Sequence, residues 1–301
     1  MQDILIRAGC FVAIIILGFV LRQVGFFDEH SFPVLSKTVL RITLPAAIIT
    51  SFSGKEIDPS LLSLALISLA ACAVAIGLAF LLNRNDRDQK AFEIINLSGY
   101  NIGNFTLPFV QSFLGPAGVI TTSLFDVGNA AICLGTSHSI AALVKEGRGF
   151  SLKKIGLSLL KSVPIMTYFI MVILGLLHIR LPSPLISCAE IIGNANPFLA
   201  MLMIGVGFKI EVKSSQIKKI LRILVVRYAL AAATALVCWF LLPFDLVVRR
   251  TLLILVFSPI PASAPAFVGD LKGDVGMASA VNSFSIIISI VTIVALLLTT
   301  A

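Results

Sequence analysis

Ten times along this chain a run of about 20 mostly apolar residues lies between clusters of charge, and a run of that length lets an α-helix cross the roughly 30 Å hydrocarbon core of a bilayer. The first, "GCFVAIIILGFVL" between Arg7 and Arg22, sets the pattern. The runs fall at roughly 4–24, 32–53, 59–82, 91–113, 116–144, 155–178, 185–208, 221–242, 247–268 and 275–299. With 58% hydrophobic against 13% charged residues and a mean hydropathy of +1.03, almost no room is left for a soluble domain. The expectation is an all-α polytopic membrane protein with ten transmembrane helices. Although Arg7 and the apolar run after it resemble a secretory signal, no A-x-A-like cleavage site follows, so the first run reads as a retained helix. Five cysteines (Cys10, Cys72, Cys133, Cys188 and Cys238) stand one per segment without a C-x-x-C pair. They read as small buried hydrophobes.

A net charge of +8 invites a nucleic-acid reading, and the placement of the basic residues decides against it. Three hairpins hold Arg84, Arg87 and Lys90; Lys145, Arg148, Lys153, Lys154 and Lys161; and Lys209, Lys213, Lys218, Lys219, Arg222 and Arg227. Ten spans put all three on one side, where Arg22, Lys37, Arg41 and Lys272 bring the total to 18 of 23, against Arg7, Lys55, Arg180, Arg249 and Arg250 on the other. By the positive-inside rule the 145–154 loop is cytoplasmic and both termini face outward. The expected location is the plasma (inner) membrane, with attraction to anionic membrane lipid as a by-product and no nucleic-acid partner.

The loop "KEGRGFSLKK" (Lys145 to Lys154) divides the chain near its midpoint, with five segments on each side. An odd number per half makes the halves insert with opposite orientation, as in the inverted repeats of many secondary transporters. We therefore read 1–145 as a first five-helix repeat, 146–154 as a cytoplasmic linker and 155–301 as a second repeat. "TLPAAIITSFSGKEID" (Thr43 to Asp58) and "NPFLAMLMIGVGFKIEV" (Asn196 to Val212) share a proline, an apolar run and a glycine, lysine and acid at the exit. The fourth and ninth segments make the more telling pair. "SGYNIGNFTLPF" (Ser98 to Phe109) loosens its helix with Gly99, Gly103 and Pro108, and "FSPIPASAPAF" (Phe257 to Phe267) loses three backbone donors to Pro259, Pro261 and Pro265. In lipid such breaks survive only where protein or a wet cavity shields them. Interrupted segments at matching places in two halves point to a transporter's binding site.

"YNIGNFTLPF", "SLFDVGNA" (Ser123 to Ala130), "SPIPASAPAF" and "MASAVNSFSII" (Met277 to Ile287) resemble the auxin efflux carrier family, the bacterial and plant permeases that include malate and malonate carriers. The likeness runs over essentially the whole chain. It implies two five-helix inverted repeats, related to the bile-acid/sodium symporters, whose broken fourth and ninth helices cross at mid-membrane, hold the substrate there and alternate its access. The family pattern N-x-G-N-x-G-x-P falls on Asn101, Gly103, Asn104 and Pro108, with Thr106 where the family often has glycine. Thr106 would add a hydroxyl or narrow the cavity.

Asn101 and Asn104, three apart, would turn amides toward a bound anion, or else satisfy broken backbone on the opposite segment. From the ninth segment the candidate substrate contacts are Ser258, Pro259, Pro261 and Ser263. Asp126, near the middle of the fifth segment with Asn129 three residues on, is the first candidate for ion coupling, because intramembrane acids mark ion or proton paths. Its alternative role is a hydrogen bond to the broken fourth segment. After Asp126 and Asn129 the further ion-coupling candidates are Glu190, nearer the outer surface, for which a solvated vestibule position is the alternative, and His138, toward the cytoplasmic end of the fifth segment, which reads first as a hydrogen-bonded core residue. Asn194, Asn196, Asn282, Ser283 and Ser285 read first as packing groups.

No nucleotide loop, H-E-x-x-H or G-x-S-x-G occurs, and the three histidines are too scattered for a metal site. The expectation is thus no enzyme, no cofactor and no metal: a secondary transporter of a small organic anion, a carboxylate such as a dicarboxylate or an auxin-like acid, with a proton as coupling ion. A sodium-coupled symporter and a non-transporting solute receptor are the alternatives, and a homo-oligomer stays open. An intramembrane enzyme would need paired reactive groups, and Asp126 and His138 stand 12 residues apart, about 18 Å along a helix.

Overall fold

The computed structural model describes residues 2–28, 30–55, 58–147, 151–209 and 214–300, which form helices, turns and loops without a strand. Among these residues seven helices are long and apolar enough to cross a membrane: Ile4–Gln23, Ser31–Phe52, Pro59–Leu82, Gly115–Glu146, Ser183–Gly207, Ser214–Phe240 and Val275–Thr299. An eighth crossing is added if the bent pair Leu152–Leu160 and Val163–Leu176 is one span. The two remaining runs are the fourth and ninth, and each is split into short helices. The fourth is Arg87–Leu97, a non-helical turn, a π-turn Ile102–Thr106 and Leu107–Phe113; the ninth is Leu246–Val256, a non-helical stretch and Ala264–Asp270.

The sixth run departs from the expected straight span over 155–178. Its two helices meet at 74°, because Ser162 is extended (ψ 112°) and Pro164 starts the second helix without an N–H for the turn before it. The second piece, 14 residues long, reaches only about 21 Å. Two π-turns have a related cause. Val39–Thr43 and Ile102–Thr106 lie directly ahead of Pro45 and Pro108, whose rings crowd the carbonyl four residues back and open the turn.

Close helix contact is made through small residues, as expected where lipid offers no hydrophobic drive. The first and seventh segments meet so tightly at Gly205 that a Cβ there would lie 2.0 Å from the Ile15 carbonyl oxygen. Phe11 of the first segment packs edge-on against Phe109 of the fourth, ring centroids 4.9 Å apart. Thr43 and Asn196, beside the prolines of the two similar stretches, face each other with Thr43 Oγ1 donating to Asn196 Oδ1 at 3.0 Å. The end of the second stretch, 210–212, lies outside the described residues. Exposed Leu81, Phe169, Ile191, Val225 and Val291 give the molecule an apolar exterior.

At one end Lys145 pairs with Asp88 at 2.8 Å, Arg222 with Glu93 at 3.1 Å, and Gln216 donates to Asp274 at 2.5 Å. The three basic hairpins thus share an end, with Arg148 and Lys213 of that set outside the described residues. Arg227 is a correction to the charge count, for it is 4% exposed and serves the interior. The cysteines also divide: Cys72 and Cys238 are buried as expected, whereas Cys10 and Cys188 are exposed. The exposed pair stand on outward faces, where a small apolar residue is compatible with lipid.

Candidate functional site

The two breaks meet. Gly99 makes the fourth possible: its φ of +85° suits glycine, and a Cβ would lie 2.6 Å from Cys133 Sγ. Past it, the Asn101 N–H donates to the Pro259 carbonyl at 2.9 Å, a backbone bond between the two broken segments. Beside it the hydroxyls of Thr106 and Ser258 bond at 2.6 Å. Neither side chain is solvent-accessible, so Thr106 joins the two segments rather than narrowing a cavity.

Arg227, on helix Ile217–Phe240, ties the breaks together. One guanidinium nitrogen donates to the carbonyls of Leu97 (2.9 Å) and Asn96 (3.4 Å), the other to Gly99 (2.9 Å), Ser258 (2.9 Å) and Pro259 (3.1 Å). Its charge lies 5.5 Å from the Tyr100 ring centroid, within cation–π range. The planar, multi-donor guanidinium serves diverging carbonyls better than an ammonium, and it meets orphan carbonyls at the end of the Arg87–Leu97 helix, where the dipole favours a cation.

Each break is also held by the segment that follows it. Asn129 of the fifth accepts from the Tyr100 N–H at 2.8 Å, and its Nδ2 donates to the Tyr100 carbonyl (2.9 Å) and to Asp126 Oδ1 (2.8 Å). Asn282 of the tenth donates to the Ile260 and Pro261 carbonyls at 2.8 and 3.3 Å, Ser285 accepts from the Ile260 N–H, and Ser289 donates to the Phe257 carbonyl. The remaining oxygen of Asp126 accepts from the Tyr168 hydroxyl of the sixth segment at 3.1 Å. Asp126 is therefore wired to the broken backbone through Asn129, the alternative weighed from the sequence, and also lines a cavity.

Two cavities flank the junction. One of about 190 Å³ is bounded by Asp126, Asn129 and Cys133, by Leu40 and Leu44, and by Pro164 at the bend of the sixth segment. The other, of about 270 Å³, is bounded by Asn282, Ser283, Met203 and Pro265. Asn101, Asn104 and Ala262 line both. The Asn104 side chain makes no hydrogen bond with the described residues and its Oδ1 is buried, a state that buried amides rarely keep without a partner.

Of the sequence candidates, Asn101, Asn104, Asp126, Asn129, Pro261 and Ser263 line the first cavity. Thr106, Ser258, Pro259 and Pro108 are buried at or behind the junction. Glu190 is exposed and lines neither cavity. His138 is half-buried, its Nε2 3.9 Å from Asp270 and its ring beside Phe267, also away from both cavities. Sequence reasoning passed over Arg227, Tyr168 and Cys133 as site residues. For Arg227 a signal existed, since it is the last charged residue of its helix, ten residues in from Ile217 and five beyond Arg222; for Tyr168 and Cys133 none did.

Comparison with curated proteins finds no match for this chain. The model of the family described as membrane transport protein matches residues 10–299, all but the ends of the chain. The protein is thus a multi-pass membrane protein that belongs to the membrane transport protein family, that of the auxin efflux carriers.

Proposed function

We propose that the protein is a secondary active transporter of a small organic anion, built as two inverted five-segment repeats whose broken fourth and ninth segments cross at mid-membrane. The observation that carries this reading is the pair of Asn101 and Asn104, whose side chains line both cavities and are not used by the described protein groups. Amides left without a partner among the described residues, beside breaks whose carbonyls are held by Arg227, Asn129 and Asn282, are suited to a solute's carboxylate and hydroxyl groups. Their position between two cavities suits access from alternate sides. The Arg227 charge, buried behind the junction, favours an anion there.

Asp126 is the candidate for proton linkage, since its protonation would alter the bond through Asn129 to the Tyr100 backbone. A sodium cage in the ninth break has less support, because the carbonyls of Phe257, Ser258, Pro259, Ile260 and Pro261 already accept hydrogen bonds. The basic hairpins would face the cytoplasm, with the termini outside the plasma membrane. The test is current on a solid-supported membrane from proteoliposomes given a panel of mono- and dicarboxylates and indole-type acids, with and without an imposed pH gradient. A substrate-specific current that changes with the gradient and is lost in Asp126→Asn is expected. Sodium-dependent current at fixed pH, indifferent to that substitution, would replace the proton with sodium.

A further inference from the structure

A third cavity, of about 280 Å³, opens between the ends of the second and sixth segments, away from both breaks. Phe52, Met171 and Leu174 form its apolar part, and Lys55, His178 and Arg180 bring basic groups to it. Among the described residues no carboxylate lines it. The placement is unusual for a chain with so strong a charge bias. Only five lysines and arginines fall on the side read as outer, and two of them, Lys55 and Arg180, line this one cavity.

Two helices, Leu44–Phe52 and Val163–Leu176, end here, and each C-terminus contributes about −0.5 of a charge. Two full cations outweigh that by roughly one unit, so capping the dipoles does not use up the basic groups. The third is held in place by a tight helix end: His178 takes a left-handed φ of 55°, its N–H bonded to the Gly175 carbonyl and that of Ile179 to Leu174. A non-glycine residue seldom adopts that conformation.

We propose that this cavity is an outer binding site for the anionic head of an amphipathic molecule, with the carboxylate or phosphate at Lys55 and Arg180 and the apolar body against Phe52, Met171 and Leu174. Two sources share this chemistry, a soluble amphipathic carboxylate and an anionic lipid of the outer leaflet. A role in gathering substrate rests on the organic-anion reading above; binding itself does not.

The experiment uses the full chain in phosphatidylcholine nanodiscs and trifluoromethyl-labelled octanoate as the probe, with binding followed by fluorine NMR line broadening. Lys55→Gln/Arg180→Gln alters exposed side chains, whereas Asn101→Ala/Asn104→Ala alters the junction. Saturable binding that weakens by about tenfold or more in the first variant and persists in the second is expected. Displacement of the probe by phosphatidylglycerol in the wild type would identify the lipid as the source, and no displacement the soluble acid. Binding unchanged in Lys55→Gln/Arg180→Gln, or absent in the wild type with both octanoate and phosphatidylglycerol, would overturn the proposal. Loss only in Asn101→Ala/Asn104→Ala would overturn it while supporting the junction as the anion site.

Discussion

The fourth and ninth segments are both broken, yet they are broken by different chemistry. The fourth uses Gly99 and keeps its backbone donors, so the Tyr100 N–H must find Asn129 and the Asn101 N–H must find Pro259. The ninth uses Pro259, Pro261 and Pro265, which have no N–H to satisfy. Its needs are mainly for donors to carbonyls, supplied by Asn282, Ser289 and Arg227. The two also differ in what they present to the cavities: the fourth offers the Asn101 and Asn104 amides, the ninth Ala262, Ser263 and proline rings. One break presents hydrogen-bonding amides to the cavities, while the other presents mostly small and apolar groups beside them.

Arg227 is where the contrast is tested most severely, because it is common to both breaks. Arg227→Met should lower stability by more than about 3 kcal/mol, since five carbonyls lose a charged donor, and thermal unfolding of the purified protein would register it. Arg227→Lys should recover only part of the loss; full recovery would mean that charge, not the fork of donors, joins the segments. Asn129→Ala should come next, at about 2 to 3 kcal/mol, and exceed Asn282→Ala at about 1 to 2 kcal/mol. Only the former strands a backbone N–H as well as a carbonyl. Equal losses would erase the distinction between the breaks.

A smaller effect is expected from Thr106→Ala and Ser258→Ala, about 1 kcal/mol each, with the double substitution costing little more than either. Additive losses would show that the hydroxyl pair at 2.6 Å is not one interaction. The smallest effect on stability, within about 0.5 kcal/mol, should come from Asn101→Ala and Asn104→Ala, which remove no hydrogen bond to described protein groups. Their effect belongs in transport: an apparent affinity weaker by about tenfold in uptake assays. Unchanged uptake by folded protein would remove the amides from the site.

Much of this was legible in the residues. Gly99, Gly103 and Pro108 in one apolar run and three prolines in another announced both breaks, because a missing N–H or a missing Cβ acts on its own turn whatever lies nearby. Pro164 carries the same local signal in the sixth run, but whether a proline ends a helix, kinks it by 74° or starts a new one depends on what the freed chain can pack against. Arg227 misled the charge count for a similar reason. A basic residue near a hairpin is ordinarily solvated, and only the convergence of five carbonyls around it explains its burial. Asp126 was visible as costly in the membrane, and its ties to Asn129 and Tyr168 were not.

By itself the sequence determined that the chain lives in a membrane, roughly where it crosses and where it cannot stay helical. Each of these follows from the transfer free energy and backbone freedom of residues taken a turn at a time. Which carbonyl meets which donor, and which amides are left without a partner among the described residues, was decided only by the tertiary structure. Hydrogen bonds such as those of Arg227 join groups as many as 131 positions apart, and no local property of either partner specifies the other.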